Sequence, residues 1–177
     1  TKATSIDYLE DWRDDWSFGE DVTLRAYSPP PKDKTYDPAT LLSHMERRFE
    51  EYISQLNLDE GSYTFFFPPY SALFWNYAFE AGYGETYLAF KAYAIERLQG
   101  RENIRLFDFQ DADFITDLNN YKDYSHYTPE INDWMLSCFA SGTCAVTAPV
   151  RAEDEIAQTH DQVAALLERY PQIPHEK

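Results

Sequence analysis

The stretch Asn119-Asn120-Tyr121-Lys122-Asp123-Tyr124-Ser125-His126-Tyr127-Thr128-Pro129-Glu130 holds a carboxylate three residues ahead of an imidazole, just before a proline-started helix. On a loop, Asp123 can turn back and accept a hydrogen bond from Nδ1–H of His126. That bond fixes the tautomer with the lone pair on Nε2, the form a general base needs. The competing reading is a loop histidine bonded for local structure among its tyrosine neighbours.

Other residues that could do chemistry are fewer. Tyr70 and Ser71 follow the apolar run Tyr63-Thr64-Phe65-Phe66-Phe67 and its stop, Pro68-Pro69. Ser71 lies where a strand turns into a helix, the place of a nucleophile elbow. The glycines of Gly-x-Ser-x-Gly are replaced by prolines, so a helix N-cap is the better reading. Tyr70, Ser71 and Asn120 are the candidate substrate contacts, with Asn120 equally suited to turn formation. Asp108, Asp111, Asp113 and Asp117 are close enough in sequence for a calcium loop, but the turn glycine and terminal glutamate of that pattern are missing. The four histidines, His44, His126, His160 and His175, do not fall at metal-ligand spacing with the cysteines, so no metal or other cofactor is expected. Cys138 and Cys144 flank a helix end and a glycine turn; a small disulfide, and with it an oxidising compartment, stands beside two buried thiols as equal alternatives.

The elements that must position these groups can be read from periodicity and punctuation. Residues 1–37 form an irregular N-terminal segment with Trp12 and Trp16 four apart, a short strand candidate Val22–Tyr27, and the breaker Ser28-Pro29-Pro30-Pro31. Residues 38–177 carry the regular pattern. Asp37-Pro38 reads as a cap and first helical residue, followed by the stripe Leu41, Leu42, Met45, Phe49, Tyr52, Ile53, Leu56. The run 63–67 reads as a strand buried on both faces. Helices are expected over 71–79 and 85–98, a second strand over 104–109, a helix over 129–139 capped by Thr128, and a last helix over 153–170.

Two apolar strands separated by helices imply a βαβ crossover and a parallel pair. In such sheets ligands bind beyond the carboxyl ends of the strands, so the loops after Pro68 and Asp108 should open on one edge, within reach of Asp123 and His126. The expected fold is therefore α/β, with a parallel sheet in three layers and helices on both faces. Two parallel strands cannot bury 65–67 on both faces and edges, so the sheet is expected to be incomplete, and its open edge offers a route to homo-oligomers.

Composition narrows the function classes. The chain has 177 residues, 31 acidic against 15 basic, and a net charge of -16. Such a balance repels a phosphate backbone, so no nucleic acid partner is expected. No apolar run approaches the length of a bilayer span and no leader opens the chain, which begins at Thr1. Aromatics reach 17%, with 14 Tyr, 12 Phe and 4 Trp, compatible with sugar stacking and equally with a tyrosine-rich core boundary.

The strand ending in Pro68-Pro69-Tyr70-Ser71, the strand Leu106-Phe107-Asp108-Phe109 and Asp123-x-x-His126 ahead of a helix together resemble the C-terminal half of an SGNH (GDSL-type) hydrolase. The likeness is to the exported, membrane-anchored bacterial branch that includes proteins of alginate O-acetylation and of lipoteichoic acid D-alanylation. It covers roughly Leu41 to Tyr170, and Asp-x-x-His is its only motif with catalytic content. The resemblance implies an incomplete SGNH-like, flavodoxin-like fold. It also implies an extracytoplasmic location with an anchor in the full-length protein, an acylated glycan or small ester as substrate, and a membrane-bound acyltransferase as partner. His126 would be the base and Asp123 its orienter. The chain departs from the family at the nucleophile: there is no Gly-Asp-Ser block, the only Gly-Ser pair is Gly61-Ser62, and no Gly-x-Asn-Asp supplies oxyanion donors. The expectation is a C-terminal portion of an acyl-ester hydrolase or O-acyltransferase, inactive alone. The alternative is a noncatalytic glycan- or protein-binding module.

Overall fold

Caps and glycine stops decide where the helices of this chain begin and end. The computed structural model describes residues 17–31 and 36–173. In order along the chain these form α1 (Glu20–Ala26), α2 (Pro38–Ile53), β1 (Tyr63–Phe67), α3 (Ala72–Glu80), α4 (Gly84–Leu98) and β2 (Ile104–Asp108). Two 3-10 turns (Asp113–Thr116 and Leu118–Asn120), α5 (Pro129–Ser141) and α6 (Ala152–Arg169) follow. The Asp37 carboxylate accepts from the Thr40 N–H at 2.9 Å, with Pro38 at the first helical position, as the cap pattern requires. Ser71 caps α3. Thr128 occupies the cap position of α5 but its side chain makes no capping bond, so Pro129 sets that start; Gly142, at φ 75°, ends the helix in the left-handed conformation glycine tolerates.

The described residues form a mixed α/β structure with one parallel pair, β1 and β2, in register Tyr63↔Ile104 through Phe67↔Asp108 and connected through α3 and α4. Alternate side chains enter two separate apolar clusters. Phe65, Phe67 and Leu106 pack with Ile95 and Leu98 of α4, whereas Phe107 and Phe109 pack with Met135 and Cys138 of α5. A third and larger cluster joins α3, α4 and α6 to the 3-10 turns through Leu73, Leu88, Ile115, Leu118 and Leu166.

Two expectations about these elements need correction. Strand β1 is not buried on both faces: Tyr63, Phe65 and Phe67 are half-buried, Thr64 is exposed, and Phe66 is 45% exposed. Its second face is only grazed by α5, where Phe139 meets Phe66 edge to face at 5.3 Å. Val22–Tyr27 is not a strand either, because tertiary contacts override the β propensity of Val22 and Thr23. Thr23 is fully buried and donates from Oγ1 to the Tyr121 carbonyl at 2.7 Å, which requires a helical turn beginning at Gly19. Among the described residues no group of three or more His, Cys, Asp or Glu is placed to hold a metal ion. Trp12, Trp16 and His175 lie outside the described residues.

The outer edge of β2 is partly covered. Phe107 and Ala145 form an antiparallel bridge, and Val146 N–H donates to the Leu106 carbonyl at 2.8 Å. A disulfide between Cys138 near the end of α5 and Cys144 tethers this short segment. Among the described residues, β1 pairs with β2 alone.

Candidate functional site

The segment 121–127 is a closed turn built by its own side chains. Tyr121 and Tyr127 bridge antiparallel, and Lys122 N–H donates to the His126 carbonyl at 2.9 Å. Inside the turn, Asp123 uses both oxygens. Oδ1 accepts from Ser125 N–H at 2.8 Å, His126 N–H at 2.9 Å and the Ser125 hydroxyl at 3.1 Å. Oδ2 lies 2.7 Å from His126 Nδ1. An aspartate that bonds the backbone two and three residues ahead is the local signature of an Asx turn, and here the same carboxylate also orients an imidazole.

Three ties hold this turn at the carboxyl end of β1. The Ser71 N–H and hydroxyl both donate to the Tyr124 carbonyl, at 3.1 and 2.8 Å. The buried Tyr121 hydroxyl donates to the Pro69 carbonyl at 2.9 Å. Helix α1 closes from behind, with Gly19 N–H and Thr23 Oγ1 both donating to the Tyr121 carbonyl. Phe109 N–H donates to the Phe67 carbonyl, so the loops after β1 and β2 leave on one edge, as the parallel topology demands.

Burial pushes the Asp123 carboxyl up, but the Ser125 N–H and the His126 ring and N–H outweigh it and hold the group below the usual carboxylate range. Asp123 therefore stays anionic through neutrality and can stabilise a proton on His126. The pair is open to solvent, with side-chain exposures of 53% for His126 and 27% for Asp123. It borders a cleft of about 380 Å³ lined by Pro68, Tyr70, Ser125, His126, Tyr127 and Asn132.

Of the residues expected to contact substrate, Tyr70 is in this cleft and the other two are not among its lining. Ser71 is fully buried, and its hydroxyl is committed to Tyr124 and to the α3 cap, where it accepts from Phe74 N–H at 3.4 Å. It is a positioning residue for the loop. Asn120 is turned inward to its own turn: Nδ2 donates to the Phe114 carbonyl at 3.3 Å, and its carbonyl accepts from Thr128 N–H at 2.9 Å. Ser125 cannot serve as the nucleophile of this base, because its hydroxyl donates to Asp123 and meets Nδ1, the nitrogen Asp123 already engages. Tyr127 and Asn132 complete the cleft; Asn132 falls one helical turn after Thr128, the signal that could have found it.

A second charged constellation escaped sequence reading. Lys91 of α4 is 4% exposed and pairs with Asp108 at the end of β2, at 2.7 Å, and with Glu155 of α6. Burial lowers the Lys91 ammonium, and Asp108 and Glu155 overcome that and raise it. Burial likewise raises the carboxyls of Glu155 and Asp111, against the opposing pull of Lys91. Gln110, also buried, donates its N–H to Asp108 Oδ1 at 2.9 Å. The cluster joins α4, β2 and α6. The clue in the sequence was a lysine on the apolar side of a helix, between Leu88 and Ile95, which demands a buried partner.

A larger cavity, about 620 Å³, lies between α2, α4 and α6. It is lined mainly by apolar side chains, and its histidine, His160, stacks on Phe79 at 4.0 Å between ring centroids. Size alone therefore does not select the site; the oriented imidazole does.

A scan against protein-family models and searches of curated proteins and of solved structures give no match to this chain.

Proposed function

We propose that this chain is the base-bearing portion of an SGNH-type acyl-ester hydrolase or O-acyltransferase acting on a cell-envelope glycan. The observation that carries the reading is the 2.7 Å contact between Asp123 Oδ2 and His126 Nδ1, in a turn fixed at the carboxyl end of a parallel strand pair and bordering a cleft. The finer fold is then a three-layer SGNH-like α/β domain of which this chain supplies part.

In this reading a serine outside the described residues attacks the acyl carbonyl while His126 Nε2 takes its proton. Asp123, anionic and bonded to Nδ1, stabilises the imidazolium. Collapse of the tetrahedral intermediate expels the alcohol, which leaves with that proton, and the acyl-serine passes its acyl group to water or to a glycan hydroxyl. No cofactor enters. The Cys138–Cys144 disulfide supports an extracytoplasmic location, where such bonds persist. No helix among the described residues is long and apolar enough to cross a membrane.

The test is His126→Ala in the longest natural product that contains this chain. Turnover of p-nitrophenyl acetate should fall by about 10²- to 10⁴-fold, while thermal unfolding stays nearly unchanged. Retained turnover refutes the base assignment.

The burial of Ser71 gives the rival reading its weight, since the one serine at a strand-to-helix turn is committed to structure. A noncatalytic glycan- or protein-binding module would keep the cleft and its aromatics and show no turnover in any natural product.

A further inference from the structure

Beside the His126 cleft the rings of six residues follow one another without a gap. Tyr70, which lines the cleft, contacts Phe74 at 4.7 Å between centroids; Phe74 contacts Tyr124 at 6.0 Å; and Tyr124 stacks on Tyr77 at 5.8 Å with planes 16° apart. Tyr77 then contacts Tyr83 at 6.4 Å, and Tyr83 meets Tyr36 edge to face at 5.3 Å. Tyr36 is 40% exposed and the other five are half-buried. Phe74, Tyr83 and Tyr124 rest on the core formed by α3, α4 and α6, so the row is held on a rigid base.

A row of this kind has particular chemistry. The part-exposed rings offer apolar surface against which the C–H face of a pyranose can pack, and the tyrosine hydroxyls supply donors and acceptors for sugar hydroxyls. Burial first, and then the neighbouring tyrosine hydroxyls, push the Tyr83 hydroxyl well above its ordinary value, so it remains a neutral donor at any physiological pH. The row carries no charge of its own, and the molecule's net charge of -16 opposes a polyanion such as a uronate polymer.

We propose that the row from Tyr70 to Tyr36 is a binding track for an uncharged glycan chain, leading it to the cleft beside His126. This deepens the acyl-ester reading by assigning the substrate class, and it rests on that reading only for where the glycan is delivered.

The experiment is NMR titration of the full chain with cellohexaose, chitohexaose and an oligouronate of the same length, with affinities checked by calorimetry. At least one neutral hexasaccharide should give saturable shifts that map to the track. Tyr36→Ala and Tyr83→Ala should each weaken it about fivefold or more, a loss in the range of one aromatic stacking contact. Tyr52→Ala, an exposed tyrosine on α2 outside the track, should leave binding unchanged. Tyr36→Ala keeps the test decisive if Tyr83→Ala unfolds, since Tyr36 is the most exposed member. Binding to the track is read apart from turnover of p-nitrophenyl acetate, which separates failure of the track from failure of the base assignment.

Four results overturn the proposal: no saturable binding to either neutral hexasaccharide, equal loss in Tyr52→Ala, tighter binding of the oligouronate, or self-association of the chain that Tyr36→Ala abolishes. The last would make the row a protein interface.

Discussion

The Asp123–His126 turn and the Lys91–Asp108–Glu155 cluster each bring a carboxylate oxygen to 2.7 Å from a basic nitrogen, yet they are built in opposite ways. The turn is local: Asp123 bonds Ser125 and His126 within a span of four residues, and water reaches both side chains. The cluster is tertiary, with its three members drawn from α4, β2 and α6 and a lysine that is 4% exposed. A solvated, oriented imidazole is open to a ligand in the adjoining cleft, which is what the proposed role as a base requires. A buried ammonium neutralised by two carboxylates is placed to hold three elements together. Equal distances thus carry different roles, and exposure tells them apart.

Substitution at Lys91 should produce the largest effect. Lys91→Met keeps the stem but leaves Asp108 and Glu155 buried without their cation, a loss of about 3 to 5 kcal/mol in unfolding free energy by urea denaturation. A change below 1 kcal/mol would show that water or proton uptake replaces the lysine, and the contrast between the two regions would collapse.

Ser71→Ala comes next. It deletes the hydroxyl that caps α3 and donates to the Tyr124 carbonyl, and should cost about 1 to 2 kcal/mol. The variant sharpens the comparison because hydrogen exchange at the amides of 122–126 should accelerate more than exchange in α4 or β2. Uniform acceleration would mean that the loop is not separately anchored.

His126→Ala should be the mildest in stability, about 0 to 1 kcal/mol, as befits an exposed pair. The pH dependence follows from the lowered Asp123 value. A carboxyl whose folded value lies below its unfolded one adds stability above the ordinary carboxylate value. That stability is lost as pH falls through the lowered folded value. NMR signals of the His126 ring should therefore report protonation of Asp123 in strong acid, and Asp123→Asn should remove that step. A stability loss in His126→Ala as large as that in Lys91→Met would make the imidazole a structural group.

What could be read from the sequence divides along the same line between local and distant interactions. Asp37-Pro38, Ser71 as a cap and the Asp123-x-x-His126 turn are all set by neighbours within a few residues, and each stands where its pattern places it; the parallel pair joins distant strands and was legible only from the strand-helix-strand order. Val22–Tyr27 failed because its helix is imposed by Tyr121, nearly a hundred residues away. Burial of β1 was overstated because an unbroken apolar run does not say how many layers cover it, and Phe66 remains 45% exposed. Of the substrate candidates, Tyr70 reaches the cleft, whereas the inward commitments of Ser71 and Asn120 depend on partners that periodicity cannot reveal. The aromatic row was hidden for the same reason, since Tyr36 and Tyr70 meet α3 and α4 only after folding.

The bond between Cys138 and Cys144 also guards against self-templating. It pins the segment whose Ala145 and Val146 pair with β2, and so shields one side of a narrow ribbon whose opposite side, along β1, has no strand partner among the described residues and leaves Phe66 exposed. Cutting the tether would let that short cover peel away and leave a ribbon able to recruit neighbours on both flanks, which is the starting geometry for open-ended assembly.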